Sequence, residues 1–325
     1  MQRSARQSSN ICHRQNNCSR HSLGGVVKFS IKRIILLVLL LIVGYFAISV
    51  ARNWDIIQRV FLGGVKVYET EAPAVPTDIK RPAVLVFSKT NAFRHEDAIP
   101  AANKLFEQMA KENGWGIYRT ENGAAFNSEI LSRFDAVIFN NVSGDVFTPA
   151  QRTAFKRYIE QGGGYVGIHA AGDNSHAKWD WYMKEIIGAT FTQHTMDPQF
   201  QRATVNVEDK GHPVTKNLPS SWQHVEEWYS FDRSPRKGGA NVLITVDEKS
   251  YRPVGMFGKD LKMGDHPMVW NRCIGKGRVV YSAFGHQADA FSNPQQVTLL
   301  GNAVRWALRL DGTECGALAA NEKTK

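Results

Sequence analysis

The sequence predicts an α/β fold: a mostly parallel sheet with helices on both faces, extra antiparallel strands, and one apolar helix ahead of the domain. Three observations carry this. Short continuous apolar runs alternate with amphipathic helical patterns between residues 83 and 168, as strands buried on both faces and their covering helices should. Two later apolar runs are joined by Ile274-Gly275-Lys276-Gly277, a hairpin signal that a purely parallel fold lacks. Residues 34–50, IILLVLLLIVGYFAISV, contain no charged side chain.

The apolar segment is the first element. At about 1.5 Å of rise per residue it reaches the short end of what spans a bilayer. Lys28, Lys32 and Arg33 stand before it and only Arg52 close behind, so the positive-inside rule keeps the N-terminus cytoplasmic and sends the rest across. The expected organisation is a basic cytoplasmic tail over 1–33, a transmembrane anchor or signal over 34–51, a stalk over 52–81, a domain over 82–311 and a disordered tail over 312–325. The stalk stretch EAPAVPTDIKRP holds three prolines and no apolar periodicity, which suits an extended linker. The alternative for 34–50 is a signal peptide cut near Ser49-Val50-Ala51, although leader and apolar run both exceed the usual lengths.

Charge excludes one class of partner. The formal net charge is +10, but residues 1–54 hold eight Lys/Arg and no Asp or Glu, leaving 32 basic and 30 acidic residues in the remainder. A domain so close to neutral has no strong attraction for phosphate backbones, so nucleic acid is rejected as a partner.

Within the domain, 83–87 (AVLVF) is the first strand. A helix follows over 96–113, with Leu105, Phe106, Met109 and Ala110 on one face and Gly114 as its cap. Strands are expected at 115–119, 134–139 and 165–168, with a helix between the last two opened by Thr148-Pro149 and ending at Gln161. This β-α-β-α-β order predicts parallel pairing. The second half is less regular: a helix at 179–187, strands at 200–207, 228–231, 242–246, 268–273 and 278–284, and a closing helix from Asn293-Pro294 to about 310. Cys273 and Cys315 fall on the exported side, where a disulfide is allowed; the sequence leaves their pairing open, and buried or free thiols are the expectation.

In open parallel sheets, ligands bind beyond the carboxyl ends of the strands. That edge collects Arg94 and His95 after the first strand, Asn140 and Asn141 after the third, His169 and Asp173 after the fourth, and His286 after the hairpin. His169, in GGGYVGIHAAGDN, occupies a strand-to-helix turn where many α/β enzymes carry a nucleophile. Beside a helix N-terminus it is expected to stay neutral, fit to accept a proton or bind a metal; the alternative is a core histidine bonded to backbone. In the stretch WQHVEEWY, Glu227 and Tyr229 share one face if the chain is extended, a carboxylate and a ring of the kind that holds a polyol; a solvated edge strand is the alternative. Five of eight tryptophans, Trp270 among them, lie between 179 and 270, which suits either a core or a sugar platform. His169, His194, His286, Glu227 and Asp173 are ligand types for zinc or another divalent metal, with His169, His194 and His286 the candidate set, but no compact metal motif is present.

Seven segments in order then carry a resemblance: VLVFSKTNAFRH (84–95), GGGYVGIHAA (162–171), the run from Trp179 to His194, HPVTKNLP (212–219), EEWY (226–229), HPMVW (266–270) and GRVVYSAFGH (277–286). Together they resemble the ThuA-like family, named for trehalose utilisation, over about 82–310. The resemblance implies a flavodoxin-like sandwich similar to class I glutamine amidotransferases. It also implies a role in carbohydrate metabolism, on disaccharides or their 3-keto derivatives. In those amidotransferases the turn carries a catalytic Cys; here it carries His169, so thiol chemistry and a Cys-dependent amidotransferase are excluded.

Two functions are expected from these residues. One is an enzyme of sugar hydrolase, isomerase or lyase type, with His169, Glu227, His286 and His194 catalytic, by acid–base or metal-assisted chemistry, and Arg94, His95, Asp173, Tyr229 and Trp270 binding the carbohydrate. The other is a non-catalytic, membrane-tethered sugar-binding module. The expected location is a bacterial inner membrane, single-pass through 34–50 with a periplasmic domain, or the periplasm itself after signal cleavage.

Overall fold

The computed structural model describes residues 30–312. The expected cytoplasmic tail before residue 30, the expected disordered tail beyond 312 and cysteines 12, 18 and 315 lie outside the described residues. One helix, α1 (Ile31–Arg52), is long and apolar enough to cross a membrane, a test that a signal sequence also passes. A second unit begins at Asn53.

That unit starts with a short helix, α2 (Trp54–Phe61), inside the segment expected as a stalk. The segment after it runs along the domain and is tied down by hydrogen bonds. Val65 N–H donates to Asn91 O (2.6 Å), Asn91 Nδ2 to Val67 O (3.0 Å), Gln151 Nε2 to Glu69 O (2.8 Å), and Arg133 Nη1 to Val75 O (2.7 Å). Glu69 pairs with the nearly buried Lys89 and Val75 joins the core. Prolines favour extended chain, and extended chain also suits lying along a surface whose donors meet its carbonyls.

The domain then follows the expected alternation: β1 (Ala83–Phe87), α3 (Ala98–Asn113), β2 (Gly116–Thr120), α4 (Ser128–Leu131), β3 (Ala136–Asn140), α5 (Pro149–Glu160) and β4 (Gly164–Ile168). The second half adds β5 (Phe191–His194), β6 (Phe200–Val207), β7 (Ser221–Glu227), β8 (Tyr229–Phe231), β9 (Asn241–Val246), β10 (Pro267–Ile274), β11 (Gly277–Ser282) and α6 (Pro294–Ala307). Nine strands form one sheet in the order β2-β1-β3-β4-β11-β10-β9-β6-β7, while β5 and β8 pair separately. Pairing is parallel from β2 to β11 and antiparallel beyond it.

β1, β3 and β4 are buried at every residue, which explains their unbroken apolar runs. β4 shows the two-sided covering in one strand. A Cβ on Gly164 would lie 2.3 Å from the Ala307 carbonyl oxygen, so only glycine admits α6 on that face. On the other face the Tyr165 ring meets Phe155 of α5 at 5.9 Å. α5 begins with the capping box that Thr148 and Gln151 form. α6 begins at the Asn293 cap.

Two local expectations change. The helix expected at 179–187 is a wider turn over Tyr182–Ile187, ended by Gly188 in the left-handed conformation. Cys273 is neither buried nor free: it is exposed near the end of β10 and disulfide-bonded.

Candidate active site

Four parallel strands, β1, β3, β4 and β11, end at one edge. His169 follows β4 directly and is fully buried. Its φ of 49° is left-handed, a strained conformation for a residue with a Cβ. Tyr281 Oη donates to its carbonyl (2.8 Å), and its Nδ1 donates to Ala283 O (2.8 Å), leaving Nε2 turned the other way. β11 continues through Gly285, at φ 123°, where a Cβ would lie 2.8 Å from Ile168 Cγ2. That turn sets His286 beside His169. His286 Nδ1 lies 3.1 Å from His169 Nε2. His95, in the loop between β1 and α3, places its ring edge-on to both, with centroids 4.8 Å from His169 and 4.5 Å from His286.

The carboxylates come from the antiparallel half. β7 ends at Glu227, and the chain then leaves the large sheet to form β8. Glu227 Oε2 lies 3.0 Å from His286 Nδ1 and 3.4 Å from His169 Nε2. Its other oxygen lies 3.2 Å from His194 Nδ1 and accepts from Gln199. Glu226 has a different task. Its Oε2 accepts from Gly285 N–H (2.7 Å), and its Oε1 from His286 N–H (3.3 Å) and Glu227 N–H (3.0 Å), so it holds the turn that carries His286. The Tyr229 ring packs 4.2 Å from that of His169.

Above this centre lies a cavity of about 610 Å³, lined by Phe93, His95, Asp97, Phe200, His286 and Asp289. It falls in the usual range for small-molecule pockets, roughly 300–1,000 Å³. His286 is its link to the buried groups: Phe200 packs 5.0 Å from its ring, and its Nε2 has no hydrogen-bond partner among the described residues.

Charge is concentrated here. Burial favours a neutral Glu227, but the hydrogen bonds from His169 and His286 outweigh it and hold the carboxyl far below its ordinary range. Burial lowers the His169 imidazole, yet the Glu227 hydrogen bond and the Glu226 charge overcome it, and the net direction is up. The expectation of a neutral His169 at a helix N-terminus is therefore corrected: only a four-residue 3₁₀ turn, His169–Gly172, follows, and two carboxylates stand beside the ring. Burial, then the charges of His169 and His286, push His95 well below the usual histidine range.

Six of the residues singled out in the sequence thus converge: His95, His169, His194, Glu227, Tyr229 and His286. Three do not take part in the way expected. Trp270 is fully buried, donates from Nε1 to Ile187 O (2.9 Å) and packs on Tyr281, so it is core and offers no platform to a sugar. Trp228 is likewise sealed, bonded to Gln201 O (2.9 Å). Asp173 caps the next turn, accepting from Ser175 N–H (2.8 Å), and does not line the cavity. Arg94 lines the cavity but is engaged by Glu121 (2.8 and 3.1 Å) and Glu96 (3.1 Å). Among the histidines, His95 joins His169 and His286 as a group suited to a metal, each offering one nitrogen within 4.8 Å of the others, while His194 sits on the opposite carboxylate oxygen. Sequence reasoning missed Glu226, Gln199 and Phe200. Glu226 was visible beside Glu227 in EEWY; nothing local marked the other two.

Comparison with known proteins places this geometry. The profile described as ThuA, trehalose utilisation, matches residues 83–307. A structure described as ThuA-like, from Bacteroides uniformis ATCC 8492, is 32% identical, with 73% of this chain and 95% of that one covered and a TM-score of 0.61. A second ThuA-like structure, from Parabacteroides merdae ATCC 43184, is 21% identical over 73% of this chain and 93% of that one, with a TM-score of 0.54, and shares the fold. No curated protein matches the chain. With a profile match spanning the whole sheet and every residue of the imidazole–carboxylate centre, the chain belongs to the ThuA family.

Proposed function

We propose that this chain is an enzyme of carbohydrate metabolism that takes a disaccharide or its keto derivative into the cavity above His286. The observation that carries the reading is the buried Glu227 carboxylate within 3.0–3.4 Å of three imidazoles, one of which, His286, lines an open cavity. A binding module needs hydroxyl partners and rings. It has no need of a desolvated carboxylate surrounded by imidazoles. Such a centre suits proton transfer next to a carbonyl, or activation of water against a glycosidic bond, either by acid–base or by metal-assisted chemistry. The family description, trehalose utilisation, agrees with a sugar substrate.

The test is turnover and binding of a panel of disaccharides and their 3-keto derivatives by the wild type and by Glu227→Gln. The variant keeps the shape of the side chain and removes its charge. Turnover should fall by at least about a hundredfold, with sugar affinity within about tenfold. Binding without turnover in the wild type would instead favour the tethered binding module.

The membrane part of the reading rests on α1 and the charges around it. The chain is proposed as single-pass, with a cytoplasmic N-terminus and a periplasmic domain. A phosphatase reporter fused behind residue 312 should be active and sediment with membranes. An inactive reporter reverses the topology, and a soluble, shortened product means cleavage.

A further inference from the structure

The three donor atoms at the centre pose a lone-pair problem. His169 Nδ1 faces a carbonyl, which only accepts, so that nitrogen carries a proton, and Nε2 is bare unless the ring takes up a second one. Glu227 Oε2 is also an acceptor. His286 Nδ1 can bring one proton to the triangle, whose edges are 3.1, 3.0 and 3.4 Å. One proton serves one edge, and two lone pairs are left facing each other in a site where the His169 and Glu227 side chains are 0% and 2% exposed. Among the described residues, no lysine or arginine forms an ion pair with Glu226 or Glu227.

Those edges match a metal polyhedron. Metal–ligand bonds of about 2.0–2.1 Å in a tetrahedron set neighbouring donors about 3.3–3.4 Å apart. We infer that His169 Nε2, His286 Nδ1 and Glu227 Oε2 bind a divalent transition metal, zinc foremost, with His95 as the fourth donor. A second proton on His169, which Glu227 and Glu226 favour when no metal is bound, also relieves the triangle, but it does nothing for His95. That ring is 6% exposed, has a buried Nδ1 with no partner, and stands edge-on to the other two. The metal gives it a function. A set of three imidazoles and one carboxylate suits zinc and its neighbours and disfavours magnesium and calcium, which prefer oxygen. The surrounding groups have the features of an outer shell: Ala283 O fixes the His169 tautomer, Glu226 fixes the backbone of His286, and His194 and Gln199 hold the second oxygen of Glu227. When bound, the ion would supply Lewis acidity beside the cavity that His95 and His286 line.

The inference deepens the sugar reading by naming what the same centre holds, and it can be tested with no sugar present. The full-length chain is purified in detergent, stripped with chelator, loaded with Zn²⁺ or Co²⁺, dialysed and measured by elemental analysis and visible absorption. One metal per chain is expected, with the intense visible bands of four-coordinate Co²⁺. His95→Ala and Glu227→Gln should each lose about tenfold or more in Zn²⁺ affinity. A wild type that stays folded by circular dichroism yet takes up no stoichiometric metal overturns the inference, as does undiminished affinity in both variants. Sugar turnover by metal-free protein would sink the metal and leave the sugar reading standing. Stoichiometric zinc with no sugar bound or turned over would do the reverse.

Discussion

The two halves of the sheet contribute different chemistry to one centre. The parallel half supplies the imidazoles, each at the end of a strand or in the loop behind it: His95 after β1, His169 after β4 and His286 after β11. The antiparallel half supplies the carboxylates, Glu226 and Glu227, at the point where β7 gives way to β8. In the parallel half, placement follows from topology, because strand ends align along an edge. In the antiparallel half it depends on a break: two consecutive glutamates, which a regular strand would point to opposite faces, both reach the Gly285–His286 turn.

The largest stability effect is expected at the seam between the halves. His212, in the connection between β6 and β7, packs 5.0 Å from Trp306 of α6. Burial lowers its folded pKa to about 4, from an ordinary value of 6.5. As pH falls below about 6.5 the unfolded chain takes up the proton and the folded chain does not, so stability is lost down to pH 4, by roughly 3 kcal/mol. Denaturant melts at stepped pH should show this slope in the wild type and a flatter one in His212→Asn. An equal slope in both would mean that the seam does not feel this proton.

A smaller effect is expected at Glu226. Glu226→Gln sets an amide group against Gly285, His286 or Glu227 N–H and should cost about 1–3 kcal/mol in unfolding free energy. If the antiparallel half positions His286 through this side chain, kcat on the proposed sugar substrate falls while KM changes little, since Glu226 does not line the cavity. Unchanged stability and kcat would show that the parallel edge holds His286 unaided.

Much of this was legible beforehand because it is local. An apolar run such as AVLVF must be buried on both faces, Thr148-Pro149 must open a helix, and histidines just behind parallel strands must gather at one edge. The resemblance supplied the fold and the sugar connection. Other features were not local. Trp270 reads the same as a platform or as core; only the position of Ile187 and Tyr281 made it core. The proline-rich segment reads as a linker until the acceptors and donors of Asn91, Gln151 and Arg133 are placed along it. His169 was read as neutral because a helix was expected behind it, whereas its charge state answers to two glutamates nearly sixty residues away in sequence. Composition, periodicity and turn chemistry by themselves determined the alternating strands of the parallel half and the edge where the site lies, but not α2, α4, β5 or β7. Tertiary structure alone decided which imidazoles meet, that His95 stands with His169 and His286 where His194 was expected, and that Glu226 holds the His286 backbone while Glu227 faces the imidazoles, because distances between side chains on separate strands depend on register and loop conformation, which leave no periodic trace in the chain.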